Sequence, residues 1–204
     1  MEKYSNFSYF DHVVVTHGSA YFNEGVYLSG TIYWFSIQNK LSFSYYHKDF
    51  TVEQFVFISL DLDIETYKHL LGPPGVDEVP DIEPTIAVLM DCLCFSHILK
   101  RTHFVIWQMT EFGVEQSWTQ FVKISFQNIQ VEDKFRDGRY HPFFMFPSCL
   151  SENGDTLMLV SYCGDKEILY YLRDNRAEQA SGNKIIWSFS KDYVESKFWS
   201  FTYS

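Results

Sequence analysis

Asp61 and Asp63 stand two residues apart at the end of an apolar run, Phe55-Val56-Phe57-Ile58-Ser59-Leu60-Asp61-Leu62. They are the best-placed carboxylate pair in the chain. Glycoside hydrolysis uses two carboxylates flanking the scissile bond, and a chain with 20 Phe, 14 Tyr and 5 Trp could stack sugars. The same residues also describe a strand turning into its loop. An Asp at that point accepts backbone N–H bonds in an Asx-turn, and Glu65-Thr66 follow as the return. The turn is the expected role of Asp61.

Other chemistry was sought in the remaining reactive side chains. Seven histidines, His12, His17, His47, His69, His97, His103 and His141, include only two close pairs, His12/His17 and His97/His103. Neither pair has the i, i+4 spacing of a helical metal site or the i, i+2 spacing of two ligands on one strand face. They read as exposed or core-edge histidines. Of the four cysteines, Cys92 and Cys94 flank Leu93, which puts both on one face of a strand, and Cys149 and Cys163 lie far off. This is not zinc spacing, so the cysteines are expected to be reduced and mostly buried small hydrophobes. The chain contains no Gly-x-x-x-x-Gly-Lys-Ser/Thr, Gly-x-Gly-x-x-Gly, Gly-x-Ser-x-Gly or His-Glu-x-x-His. No catalytic residue, metal ligand or cofactor is therefore expected from these motifs.

Charge limits the partners. The formal net charge is −10, with 16 Lys and Arg and no run of them. Phosphate-rich partners call for a basic face, so neither nucleic acid nor an anionic membrane is an expected partner. The N-terminal residues lack the pattern of a secretory signal. No apolar run approaches the roughly 20 residues that span a bilayer. A cytoplasmic or nuclear location is the expectation.

The elements that position these residues are strands. Gly25 to Trp34, GVYLSGTIYW, alternates apolar and polar, breaks at Ser29-Gly30 and resumes, which predicts a hairpin. Val26 and Leu28, with Ile32 and Trp34, are expected along one side of it. Dense β-branched and aromatic runs recur at 55–62, 104–109, 157–162, 168–172 and 185–189, each too short for a typical helix. Gly113 is placed to reverse the chain before Trp118 opens the next strand and packs between sheets. Trp34, Trp107 and Trp118, with Trp187 and Trp199, lie at strand-like positions; most of them are expected in the core, with one or two as partner anchors instead. Leu71-Gly72-Pro73-Pro74-Gly75 must be a loop. The segments Gly72 to Pro84 and Val131 to Arg139 read as the longest polar surface loops; plain solvated connectors are the favoured reading, and contact with a partner is the alternative.

Three similar units recur roughly every 60 residues. Their anchors are Gly30, Asp91 and Asn153-Gly154. The last unit runs CLSENGDTLMLVSY, EILYYLRD, KIIWSFS. A small antiparallel sheet of this kind exposes two apolar faces and must stack on neighbours, which is the logic of a β-propeller. The chain is therefore read as one all-β domain, residues 1–204, of propeller-like antiparallel sheets with about three blade-like units. Three is fewer than closure needs. A β-sandwich without a true repeat is the alternative.

Quoted in order, the motifs resemble one family, the plant F-box-associated domain of F-box and kelch-repeat-like proteins. GVYLSGTIYW is similar to its V-x-L-x-G-x-x-H-W hairpin, and VFISLDLDIETY to its I-x-x-F-D-L-x-x-E-x-F strand and turn. LMDCLCF resembles L-x-G-x-L-C. IWQMTEFGVEQSWTQ resembles I-W-x-M-x-E-Y-G-V-x-x-S-W-T-K, the most specific stretch. CLSENGDTLML resembles x-F-x-x-N-G-E-I-L-L, and DYVES, at Asp192 to Ser196, the closing x-Y-V-E-S-L. The likeness covers about Gly25 to Ser196. It departs at Tyr33-Trp34, where the family commonly has His before Trp, and at Lys197, which replaces a Leu. No leucine-rich helical segment that could be an F-box precedes the first motif.

The resemblance implies a substrate-recognition module of an SCF-type ubiquitin ligase, binding target proteins without catalytic residues of its own. A Skp-type adaptor and cullin would join only through an F-box supplied elsewhere. Without one, the chain would act as a truncated receptor or a competitor. The residues that carry the likeness, Gly25, Gly30, Trp34, Asp61, Trp107, Gly113, Trp118, Gly154 and Tyr193, are expected to be structural. The likeness names no partner-binding residue. A carbohydrate-binding or carbohydrate-active β domain is the alternative function.

Overall fold

The computed structural model describes residues 25–38, 45, 49–129, 145–161 and 167–179. They form three four-stranded antiparallel sheets, none closed into a barrel. The first holds β1 (Val26–Leu28), β2 (Thr31–Ile37), β3 (Phe55–Asp61) and β4 (Thr66–Leu71). The second holds β5 (Thr85–Leu89), β6 (Cys92–Leu99), β7 (His103–Met109) and β8 (Trp118–Ser125). One helical turn, α1 (Phe126–Ile129), follows. The third sheet holds β9 (Met145–Leu150), β10 (Thr156–Ser161), β11 (Glu167–Tyr171) and β12 (Arg176–Gln179).

Each sheet is a meander in chain order, and β5 lies against both β1 and β9. The first strands of the three sheets thus run side by side, a propeller-like arrangement. The repeat extends to loop detail. Four residues, 62–65, join β3 to β4, and four, 172–175, join β11 to β12. The last of each has positive φ, 51° at Glu65 and 53° at Asn175. Leu62 N–H donates to the Gly30 carbonyl and Leu172 N–H to the Asp155 carbonyl, each at 2.9 Å. In each sheet this bond ties the outer hairpin to the inner one.

Parity along the strands explains the packing. Ser29 and Gly30 both have positive φ, 48° and 81°. A two-residue turn of that kind matches the twist of the flanking strands. It pairs Leu28 with Thr31 and Val26 with Tyr33, so the odd residues of β2 share the face of Val26 and Leu28. Ile32 and Trp34 consequently lie on the opposite face. Trp34 is half-buried and stands outside both cores, which corrects the expectation that it would be core beside Val26 and Leu28.

The second sheet is covered on both faces. Leu93, Phe95 and Met109 face the first sheet, where they meet Leu28, Tyr33, Phe35, Phe57 and Leu70. Cys94, Ile98, Phe104 and Ile106 face the third sheet and meet Leu157, Leu159, Ile168 and Tyr170. Burial on both faces is why β6 and β7 read as near-continuous apolar runs. A bulge in β8 serves both cores, because the register with β7 shifts between Ile106 and Trp107. Trp118 therefore pairs with Met109 on one face and Ile124 with Phe104 on the other, although both are even-numbered.

Two sequence expectations change. The strand closing the third sheet is Arg176–Gln179, and KIIWSFS lies outside the described residues. The 72–84 connector is also not a polar surface loop throughout. Pro73, Val76, Pro80, Ile82 and Pro84 are buried along it. Val76 joins the first core and Ile82 the second, and the Tyr45 hydroxyl donates to the Pro80 carbonyl at 2.9 Å. Apolar residues in the Pro-bounded segment plug the ends of both cores. Residues 131–139 lie outside the described residues.

The first core is joined by aromatic contacts. Phe57 meets Phe95 at 5.5 Å and Trp118 at 5.2 Å between centroids, and Phe35 meets Phe57 at 5.8 Å and Phe95 at 5.4 Å. Phe57 is fully buried at the centre. Phe57→Ala is expected to cost about 3–5 kcal/mol in urea unfolding of the full chain, by lost transfer energy and a cavity that flanking rings cannot close. A loss below about 1 kcal/mol would show that this seam does not hold the two sheets together.

Candidate partner-binding surface

The residues singled out by sequence are placed as follows. Asp61 Oδ1 accepts the N–H groups of Asp63 and Ile64 at 3.0 and 3.2 Å, an Asx-turn closing β3. Gly113 and Gly154 have φ of 70° and 71° in the β7–β8 and β9–β10 loops. Gly25 lies against the indole of Trp34, where an added Cβ would sit 2.5 Å from Nε1. Gly75 lies equally close on Trp107, 2.3 Å from Cη2 by the same construction. The indole of Trp107 is thus roofed by the 72–84 connector. Tyr193 lies outside the described residues.

The segment Ile106 to Gln120 joins two sheets. Trp118 opens β8 buried in the first core, and its Nε1–H donates to the Leu71 carbonyl at 3.1 Å. Glu115 Oε1 accepts the Leu71 N–H at 2.8 Å. Leu71 ends β4, the edge strand of the first sheet. Edge strands present unpaired backbone groups that must be managed. Two side chains from the neighbouring sheet satisfy both groups of Leu71.

The same loop contributes to an exposed surface. Within each of the first two sheets, the β1–β2 and β3–β4 turns, and the β5–β6 and β7–β8 turns, lie at one end, because consecutive hairpins of a meander open the same way. Large apolar side chains are exposed there: Leu62 and Ile64 between β3 and β4, Met90 between β5 and β6, and Phe112 and Val114 between β7 and β8. Ile64 is 63% exposed and Phe112 48%. The β7–β8 loop reaches the first sheet at Tyr33 in β2, whose buried ring meets Phe112 edge-on at 5.5 Å. Burial, with the Asp61 charge as a lesser cause, pushes the Tyr33 hydroxyl pKa up to about 12. Met90 in turn reaches the third sheet, its Sδ 3.9 Å from where a Cβ on Gly154 would stand. Exposed large apolar side chains grouped in neighbouring turns make this surface the candidate for contact with a partner.

The sequence draws attention to the longest polar loops, whereas the exposed large apolar side chains lie in these shorter turns. The available signal was apolar bulk inside turns, Leu62 and Ile64 between acids and Phe112 beside Gly113, where a plain connector would be polar.

Other candidate chemistry is placed as follows. Cys92 and Cys94 are free thiols. Cys94 is fully buried, and burial pushes its pKa up to about 12, which makes it a poor nucleophile. Cys149 is exposed, unlike a buried small hydrophobe. Among the described residues, no group of three His, Cys, Asp or Glu is placed to hold a metal ion, and no helix is long and apolar enough to cross a membrane. A cavity of about 320 Å³, lined by Phe55, Phe57, Leu71, Pro73, Pro74 and Phe95 among others, opens at the other end of the first sheet.

His97 is the one titratable side chain the sequence underrated. It is buried in β6 on the face toward the first sheet. The Trp107 Nε1–H donates to its Nε2 at 3.3 Å, and its Nδ1 has no hydrogen-bond partner among the described residues. Burial lowers its pKa from 6.5 to about 4.

No protein-family model matches the chain, and no curated protein matches it.

Two outcomes follow from this geometry. Trp118→Phe keeps a ring in the core but leaves the Leu71 carbonyl without its donor, an expected loss of about 1–2 kcal/mol in chemical denaturation, against about 3–5 for Trp118→Ala. Equal losses for the two would remove the hydrogen bond from the account. His97 stays neutral in the folded chain while the unfolded chain takes up its proton below the ordinary value. Its contribution is therefore full above pH 6.5 and declines as pH falls toward about 4. The decline should reach about 3 kcal/mol at most. His97→Gln is expected to flatten melting temperature against pH in that window, and an unchanged profile would show that His97 is already protonated or hydrated in the fold.

Proposed function

We propose that this chain is a protein-interaction module that captures target proteins, of the kind that serves as the substrate receptor of an SCF-type ubiquitin ligase. The observation that carries the reading is the double use of IWQMTEFGVEQSWTQ. This stretch has the closest likeness to the F-box-associated domain. Its Glu115 and Trp118 tie two blade-like sheets at Leu71, while Phe112 and Val114, just before them, stand exposed. One loop thus holds the scaffold and presents apolar contact surface from a rigid base. Binding energy at interfaces concentrates in a few such anchors.

In this reading the chemistry is recognition alone. A Skp-type adaptor and cullin enter through an F-box supplied elsewhere, and the chain acts inside or outside the cell's ligase pool accordingly, as receptor or as competitor. The cytoplasm and nucleus, where ubiquitin ligases work, are the proposed location.

The test is affinity purification of the tagged full chain from its source tissue, with mass spectrometry and ubiquitin-remnant profiling. A discrete set of proteins whose ubiquitination changes with the level of this chain is expected. A glycan array and hydrolase screen that give signal, while the purification returns no specific protein, would replace this reading with the carbohydrate one.

A further inference from the structure

Hairpin loops at one end of the first two sheets combine two properties seldom found together in plain connectors. Their apolar side chains, Leu62, Ile64, Phe112 and Val114, are exposed. Their polar side chains are acidic: Asp61, Asp63 and Glu65 interleave with Leu62 and Ile64, and Glu111 and Glu115 flank Phe112 and Val114. Asp91 adds a further carboxylate beside Met90. Residues 61–65, 90–91 and 110–117 contain no Lys or Arg. Asp61 is occupied by its own turn and Glu115 by Leu71. Asp63, Glu65, Asp91 and Glu111 form no ion pair among the described residues.

We propose that this end of the molecule docks a peptide segment of a partner protein in which Lys or Arg lie next to bulky apolar residues. The inference rests on the reading of the chain as a protein-interaction module and specifies what that module takes. Charge complementarity selects the occupant. A phosphate-rich partner or a second copy of this acidic end would be repelled. A purely apolar segment would leave the carboxylates beside the patch with no counter-charge. A basic segment with apolar neighbours meets both demands, since Arg and Lys stems cover apolar surface while their heads reach the carboxylates. The base is rigid: Phe112 is held against the buried Tyr33 ring, and the 61–65 loop is closed by the Asx-turn and by the Leu62–Gly30 bond. Less ordering is then needed on binding.

The test uses fluorescence anisotropy with the full chain and a short labelled peptide that alternates Arg with Leu. Two counterparts carry Glu in place of Arg, or Gly in place of Leu. Each counterpart is expected to bind roughly tenfold more weakly or worse, and binding of the Arg–Leu peptide should weaken with salt. Ile64→Ser with Phe112→Ser should weaken it by roughly tenfold. Val114→Ser, which leaves the Tyr33 contact intact, should weaken it in the same direction. Asp63→Asn with Glu111→Gln should weaken binding and flatten its salt dependence, whereas Asp77→Asn with Glu78→Gln, the same charge change on the exposed 72–84 connector, should leave both unchanged.

Equal weakening by the two charge-change variants would reduce the effect to net charge and overturn the proposal. So would wild-type affinity in both the Ile64/Phe112 and Val114 variants. The two readings fail separately. If tissue targets are captured as well by the Ile64→Ser/Phe112→Ser chain as by wild type, the interaction module stands and this docking site falls. If the peptide binds as described but no target is captured in tissue, the surface stands and the receptor role falls.

Discussion

The second sheet must bury both of its faces, and the rest of the described structure is arranged around that need. One face meets the first sheet through Phe95, Phe57, Phe35 and Trp118, and the other meets the third sheet through Phe104, Ile106 and Ile124. A four-stranded antiparallel sheet with two apolar faces is not stable in water by itself. It becomes stable only as a middle layer. The bulge in β8 is part of that solution, since it turns Trp118 toward one neighbour and Ile124 toward the other within one short strand.

Joining sheets this way creates edges, and the chain treats its edges chemically. At Leu71, where β4 ends, a Glu and a Trp from the adjoining sheet bond both backbone groups. The 72–84 connector leaves from this point, buries Val76 and Ile82 in the two cores and rests Gly75 on Trp107. Packing, edge capping and chain crossover thus converge on one stretch of sequence around Trp107 to Trp118. Because that stretch is fixed at both ends, the loop between them can display Phe112 and Val114 without collapsing onto the core. The functional proposal depends on this link between a rigid scaffold and an exposed apolar loop.

Much of the local structure was legible in sequence. Ser29-Gly30 marked its hairpin because positive φ at two successive positions calls for such residues. Asp61 marked a turn because a short carboxylate can reach the next backbone N–H groups. Gly113 and Trp118 sat where the chain had to reverse and then re-enter the core. Less could be read where a residue's neighbours lie far along the chain. Arg176–Gln179 carries no strand pattern, since an edge strand gains its place from β11 rather than from its own side chains. His97 looked peripheral, and its burial follows only from the strands and the sheet packed around it. The exposed apolar turns were hard to read for a related reason. Length and polarity pointed to the 72–84 segment, yet its apolar residues plug the cores, while short turns expose theirs.

By itself the sequence determined the all-β class, the positions of most strands and tight turns, the spacing of three repeated units and the acidic net charge. These depend on residues close together in the chain, whose conformational preferences and alternation act locally. Only the tertiary structure decided which face of each strand is core, which tryptophans are buried, how Leu71 is capped and which apolar residues remain in water. Those outcomes depend on turn parity, on one bulge and on contacts between sheets, and a single residue of register moves a side chain from one face to the other.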